Sequence, residues 1–148
     1  MQTVTALAQA MADTIAAAVP AIDSVDLNSY LPAVDAQWVA LIGVPTGSAS
    51  DMRPLTLQGN EWEAVHRVRL QLWVKFDQGD ADACMERARD VGFLALQALA
   101  ANDGDGYSVA MEEERPLRCE VAPDILSVGD VPYLVVTLTA TVWETGAV

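Results

Sequence analysis

Between residues 131 and 144 every second side chain is apolar: Leu134, Val136, Leu138, Ala140 and Val142, with Thr137, Thr139 and Thr141 in the intervening places. Successive side chains of a strand point to opposite faces, so this spacing predicts one long strand with one buried face. Residues 62–76 repeat the pattern, with Val68, Leu70, Leu72, Val74 and Phe76 on one face and Arg67, Arg69, Gln71, Trp73 and Lys75 on the other. His66, the only histidine, falls on the apolar face by the same alternation. There it reads as a hydrogen-bonded core group rather than a base.

Two segments carry a helical period instead. Val4, Leu7, Ala8, Met11, Ile15, Ala18 and Val19 recur at three- and four-residue steps over residues 3–19, and Pro20 stops the run. Seven alanines between Ala6 and Ala18 raise helix propensity and keep the helix slim enough to lie close to a sheet. After a turn at Gln78 and Gly79, Asp80 is placed to cap a second helix that runs to about residue 101, with Asp82 in its first turn. Cys84, Ala88, Val91, Ala95 and Ala98 form one apolar line, and Met85, Gly92, Leu96 and Leu99 the next. The polar face narrows to Glu86, Arg87, Arg89 and Asp90. Asn102, Asp103, Gly104, Asp105 and Gly106 end the helix.

The remaining elements are short. Strands are expected around residues 25–30, 38–44, 107–114 and 117–121, the second being a compact apolar run that begins at Trp38. Pro45, Gly47, Ser48, Ser50, Pro54, Gly59 and Asn60 crowd residues 45–61, which therefore form a long loop or an extended hairpin. Segments of this kind inside a compact domain are commonly functional or disordered. No repeat or linker divides the 148 residues, so one domain over residues 1–148 is expected.

Charge and chemistry narrow the function classes. Twenty-one acidic residues against eight basic ones give a net charge of −13, which repels nucleic-acid phosphate and anionic lipid. Cys84 and Cys119 sit among apolar neighbours and read as free thiols in a reducing compartment. The first nineteen residues lack the basic start of a secretory signal, and no run of eighteen apolar residues occurs. A cytosolic protein, or one assembled from cytosolic parts, is expected. No nucleophile elbow, zinc-binding histidine pair, phosphate-cradling glycine loop or cysteine pair at metal spacing is present. Asp103, Gly104 and Asp105 lack the glutamate a calcium loop requires. The sequence therefore offers no catalytic, metal-binding or cofactor-binding residues, and the expectation is a protein that is not an enzyme. The residues that stand out suit protein contacts: Arg67, Arg69 and Lys75, with Trp73 between them, on the strand face opposite the apolar one, Trp62 at the start of the same strand, and Glu112, Glu113 and Glu114 as an acidic counterpart.

The element order, with the strand Val65-His66-Arg67-Val68-Arg69-Leu70-Gln71-Leu72-Trp73-Val74, the central helix and the closing Pro132-Tyr133-Leu134-Val135-Val136-Thr137-Leu138, resembles the tail terminator, or tail-completion, proteins of long-tailed bacteriophages. The resemblance implies an α+β fold, a mixed and mostly antiparallel sheet with two main helices packed on one face. It also implies a homo-oligomeric ring, typically a hexamer, that caps the tail-tube protein, ends tube polymerisation and presents a surface to the head–tail connector. The ring would belong to the virion neck, with DNA passing an acidic lumen without specific binding, and the contacts such proteins make through loops and sheet edges imply the 45–61 segment, including Arg53, as the surface for the tube or connector. Other neck components, the head-completion or stopper proteins, share this ring logic. A small ligand-binding or enzymatic α+β domain built around His66 is the alternative from another class.

Overall fold

The computed structural model describes residues 3–27, 39–43, 48–101 and 116–147. The expected strand at residues 107–114, with Glu112, Glu113 and Glu114, lies outside these residues, as do Trp38 and the turn at Asp103–Asp105. Among the described residues two helices and seven strands occur: α1 (Val4–Ala18), β1 (Ser24–Asp26), β2 (Val39–Gly43), β3 (Ala49–Pro54), β4 (Glu61–Lys75), α2 (Ala81–Ala100), β5 (Leu117–Val121), β6 (Leu126–Val128) and β7 (Val131–Ala147).

The two long strands form the backbone of the sheet. β4 and β7 pair antiparallel from Glu61↔Ala147 to Lys75↔Tyr133, so their apolar alternations coincide and Leu70 faces Leu138 across the ladder. β2 and β3 both line the far side of β4, β2 against Gly43↔Leu70 to Val39↔Val74 and β3 against Pro54↔Trp62 to Ala49↔Arg67. β5 and β6 line the far side of β7, and β1 pairs in parallel with β2. The fold is α+β, with a mixed, mostly antiparallel sheet and both helices on one face.

That helical face holds the main core. Leu7, Met11, Ala12 and Ile15 of α1 and Cys84, Ala88, Val91, Ala95 and Leu99 of α2 pack with Val68 to Val74 of β4 and Leu134 to Val142 of β7. Burying each large aliphatic side chain stabilises the fold by about 1.5–3 kcal/mol. Thr3 starts α1, its hydroxyl accepting from the Ala6 N–H at 3.1 Å. Gly92 lets α2 approach the sheet, since a Cβ there would meet Val136 Cγ1 at 2.9 Å. Both cysteines are free, and burial pushes the Cys119 thiol up from its ordinary pKa.

Several expectations need correction. Asp80 occupies the cap position of α2 without making a side-chain cap bond. Asp77 instead accepts from the Gly79 N–H and shapes a 3₁₀ turn, Gln78–Asp80, that leads into the helix. Met85 is exposed, because the face of α2 that meets the sheet is narrower than its apolar composition allows. The segment before the last strand contains β6, a short strand closed onto β7 through Gly129 at φ +60°.

A second, smaller cluster covers the opposite face of the sheet at one end. Trp73, Val128, Tyr133 and Val135 are buried there, and the Trp73 and Tyr133 rings meet edge to face at 5.7 Å. Trp73, expected on an open cationic face, is only 4% exposed, so it serves packing within the chain.

Candidate functional site

The other end of the sheet is built differently. β3, the first part of β4 and the last part of β7 form a three-stranded end beyond Val68 and Val142, where the helix-packed cluster stops. Leu55 N–H donates to the Glu61 carbonyl at 2.7 Å, and that bond fixes which pairs of the β3–β4 hairpin exchange ladder bonds. By alternation Asp51 and Arg53 turn their backbone groups toward β4, whereas Ser50, Met52 and Pro54 turn theirs to the outer edge. Pro54, which has no N–H, therefore interrupts nothing in the ladder. All six residues of β3 are exposed, and among the described residues no strand pairs with its outer edge. This edge is guarded by charge and by proline, the usual protection against unwanted strand pairing.

Polar contacts hold this end together. On the helix side of the sheet, His66 is 2% exposed and bonded at both ring nitrogens, Nδ1 to Ser50 Oγ at 2.7 Å and Nε2 to Glu144 Oε1 at 2.9 Å. A carboxylate only accepts, so Nε2 carries the proton and, in the neutral ring, Nδ1 accepts from the Ser50 hydroxyl. One buried imidazole thus ties together β3, β4 and β7. It is the satisfied core histidine expected from strand alternation. The two partners, sixteen residues before it and seventy-eight after it, had no sequence signal beyond residue type.

On the opposite side, Arg53 pairs with Glu63 directly across the hairpin, and Arg67 donates to Asp51 at 2.8 Å on the diagonal. Trp143 Nε1–H also donates to Glu63, at 3.3 Å. The Arg53 guanidinium first, and then the Trp143 indole, holds the Glu63 carboxyl below the ordinary carboxylate range. Asp51, Met52, Arg53, Glu63 and Val65 line a surface depression of about 140 Å³. Ordinary small-molecule sites are roughly 300 Å³ and larger, so this one is too small to hold a typical ligand.

The hairpin ends in residues 55–60, closed by Gly59 at φ +72° and by Thr56 Oγ1 donating to Asn60 Oδ1 at 2.7 Å. Leu57 is fully exposed, and Leu55 and Met52 are about half exposed or more. The six tip residues, Leu55-Thr56-Leu57-Gln58-Gly59-Asn60, carry no charge in a chain of net −13.

The sequence-predicted contact residues do not form one patch. Trp62, half-buried, sits opposite Pro54 at the hairpin end, whereas Trp73 and Lys75 lie at the far end of β4, about 40 Å away at strand rise. Arg53 and Arg67 are engaged by Glu63 and Asp51, and Arg69 is half-buried in mid-strand, its backbone N–H donating to Ser48 Oγ. The expected cationic face is thus divided among ion pairs, a buried aromatic cluster and the middle of the sheet. The exposed apolar residues of the hairpin, and Phe93 and Leu94 on α2, were missed because a single exposed hydrophobic residue looks the same in sequence as a buried one.

Among the described residues no helix is long and apolar enough to cross a membrane, and no three His, Cys, Asp or Glu side chains gather as a metal ion would need. A scan against protein-family models and a search of curated proteins both give no match to this chain.

Proposed function

We propose that this chain is a structural assembly subunit of the tail-terminator kind, forming a homo-oligomeric ring on the phage tail tube and joining it to the head connector. The observation that carries the reading is the hairpin end. A wholly exposed edge strand and an uncharged apolar tip are held rigid by a buried polar tie and by ion pairs, on a chain that otherwise repels its own copies. Such an element suits contact with protein rather than turnover of a small molecule. The α+β fold with helices on one face is the one the resemblance implies, and it supports the same reading. A heterologous contact that closes on itself makes a ring. Electron microscopy of tails assembled without the protein tests it: tubes of uncontrolled length are expected, and tubes of normal length refute it. A stopper protein would bind filled heads instead of tubes.

A second reading rests on one observation, the Ser50–His66–Glu144 relay, which has the composition of a hydrolytic triad. It weighs less, because the hydroxyl meets Nδ1 on an open strand and the imidazole is only 2% exposed. Labelling of Ser50 by a fluorophosphonate, lost in His66→Ala, is the result that would favour it.

A further inference from the structure

The outer face of α2 carries a ridge whose composition matches the hairpin tip. Met85, Arg89 and Phe93 follow one another at four-residue steps with Leu94 alongside, and Met85, Phe93 and Leu94 are 43%, 59% and 45% exposed. Arg89 is exposed and has no ion pair among the described residues. At the base of the hairpin tip, Glu61 is likewise an exposed carboxylate with no side-chain partner among the described residues. Two unlike surfaces are therefore displayed: Leu55 and Leu57 beside the Glu61 carboxylate, and Met85, Phe93 and Leu94 around the Arg89 guanidinium.

These surfaces cannot meet within one protomer. Gly92 fixes α2 over Val136, whereas the tip lies beyond Ala147, eleven residues further along β7. At strand rise that separation is about 35 Å along a continuous fifteen-pair ladder. We infer that the hairpin tip of one copy seats on the Met85–Arg89–Phe93 ridge of the next, with Leu55 and Leu57 against Phe93 and Glu61 against Arg89. This inference rests on the ring reading and names its contact. The occupant is a second copy for two reasons. A chain of net −13 repels itself except where its surface is uncharged or offers a cation; the tip is uncharged, and the ridge offers Arg89, between the exposed carboxylates of Glu86 and Asp90. Glu61 and Arg89 are also opposite in sign and each has apolar side chains beside it, the composition that concentrates binding energy at an interface. Because tip and ridge differ, the contact is heterologous and propagates head to tail.

Sedimentation velocity over a concentration series tests it with the full chain, alongside arrest of tube growth. Wild-type protein is expected to self-associate. Leu57→Asp, Glu61→Arg and Arg89→Glu should each weaken self-association about tenfold, and Glu61→Arg combined with Arg89→Glu should recover it. All positions are exposed, so unchanged thermal midpoints are expected and separate loss of contact from loss of fold. Wild-type protein that stays a monomer, or self-association unchanged by the single reversals, overturns the contact. So does normal self-association in variants that no longer arrest tubes, which would assign the tip to the tube protein. Charge-swap recovery in a protein that never arrests tubes upholds the contact and refutes the tail-terminator role.

Discussion

The same two strands, β4 and β7, are held in two different ways along their length. From Val68 to Val74 and from Leu134 to Val142 they lie under two helices, and at one end a second cluster around Trp73 and Tyr133 covers the other face. From Glu61 to Arg67 they lie beside an exposed hairpin, tied by His66 and by two ion pairs in solvent. The first region stabilises through burial of apolar area and tolerates little change. In the second, the ion pairs are exposed and screened by solvent, so order there depends on the buried imidazole. One half of the ladder is a scaffold; the other presents a surface.

The largest loss is expected in the helix-covered half. Leu138→Ala should cost about 2–5 kcal/mol and lower the urea midpoint of the whole molecule, since Leu138 is 1% exposed at the centre of the core. His66→Ala should cost less, about 1–3 kcal/mol, and act locally. Amide exchange should quicken at Asp51 and Arg53, whose N–H groups face β4, while the amides of α2 keep their protection. Equal acceleration in both regions would erase the distinction.

The smallest effect concerns pH. Glu63 has its pKa lowered by Arg53 and Trp143, so its contribution is present at neutral pH and is lost as pH falls through the carboxylate range. Glu63→Gln should remove that share of the acid sensitivity. The gap between wild-type and variant midpoints should therefore shrink from about pH 7 to about pH 3. A gap that widens on acidification contradicts the assignment.

The legibility of the molecule follows the same division. Period-two and period-3.6 patterns located β4, β7, α1 and α2 because burial on one face leaves a regular trace in composition. Trp73 misled because a second cluster buries part of the face opposite the helices, and alternation alone does not tell which of two faces meets water. At the hairpin, proline, glycine and serine marked a turn-rich segment without saying that Ala49–Pro54 pairs with β4. The partners of His66 come from strands that only the fold brings together. Ion pairs on an exposed hairpin leave no periodic trace at all.

The central claim is that this chain caps tail tubes as an assembled ring. The most direct measurement is the mass of protein retained on purified tail tubes, read together with tube growth when more tube protein is added. The account predicts one ring of several copies at a tube end and no further lengthening. Single protomers left in solution, with tubes that continue to grow, would contradict it.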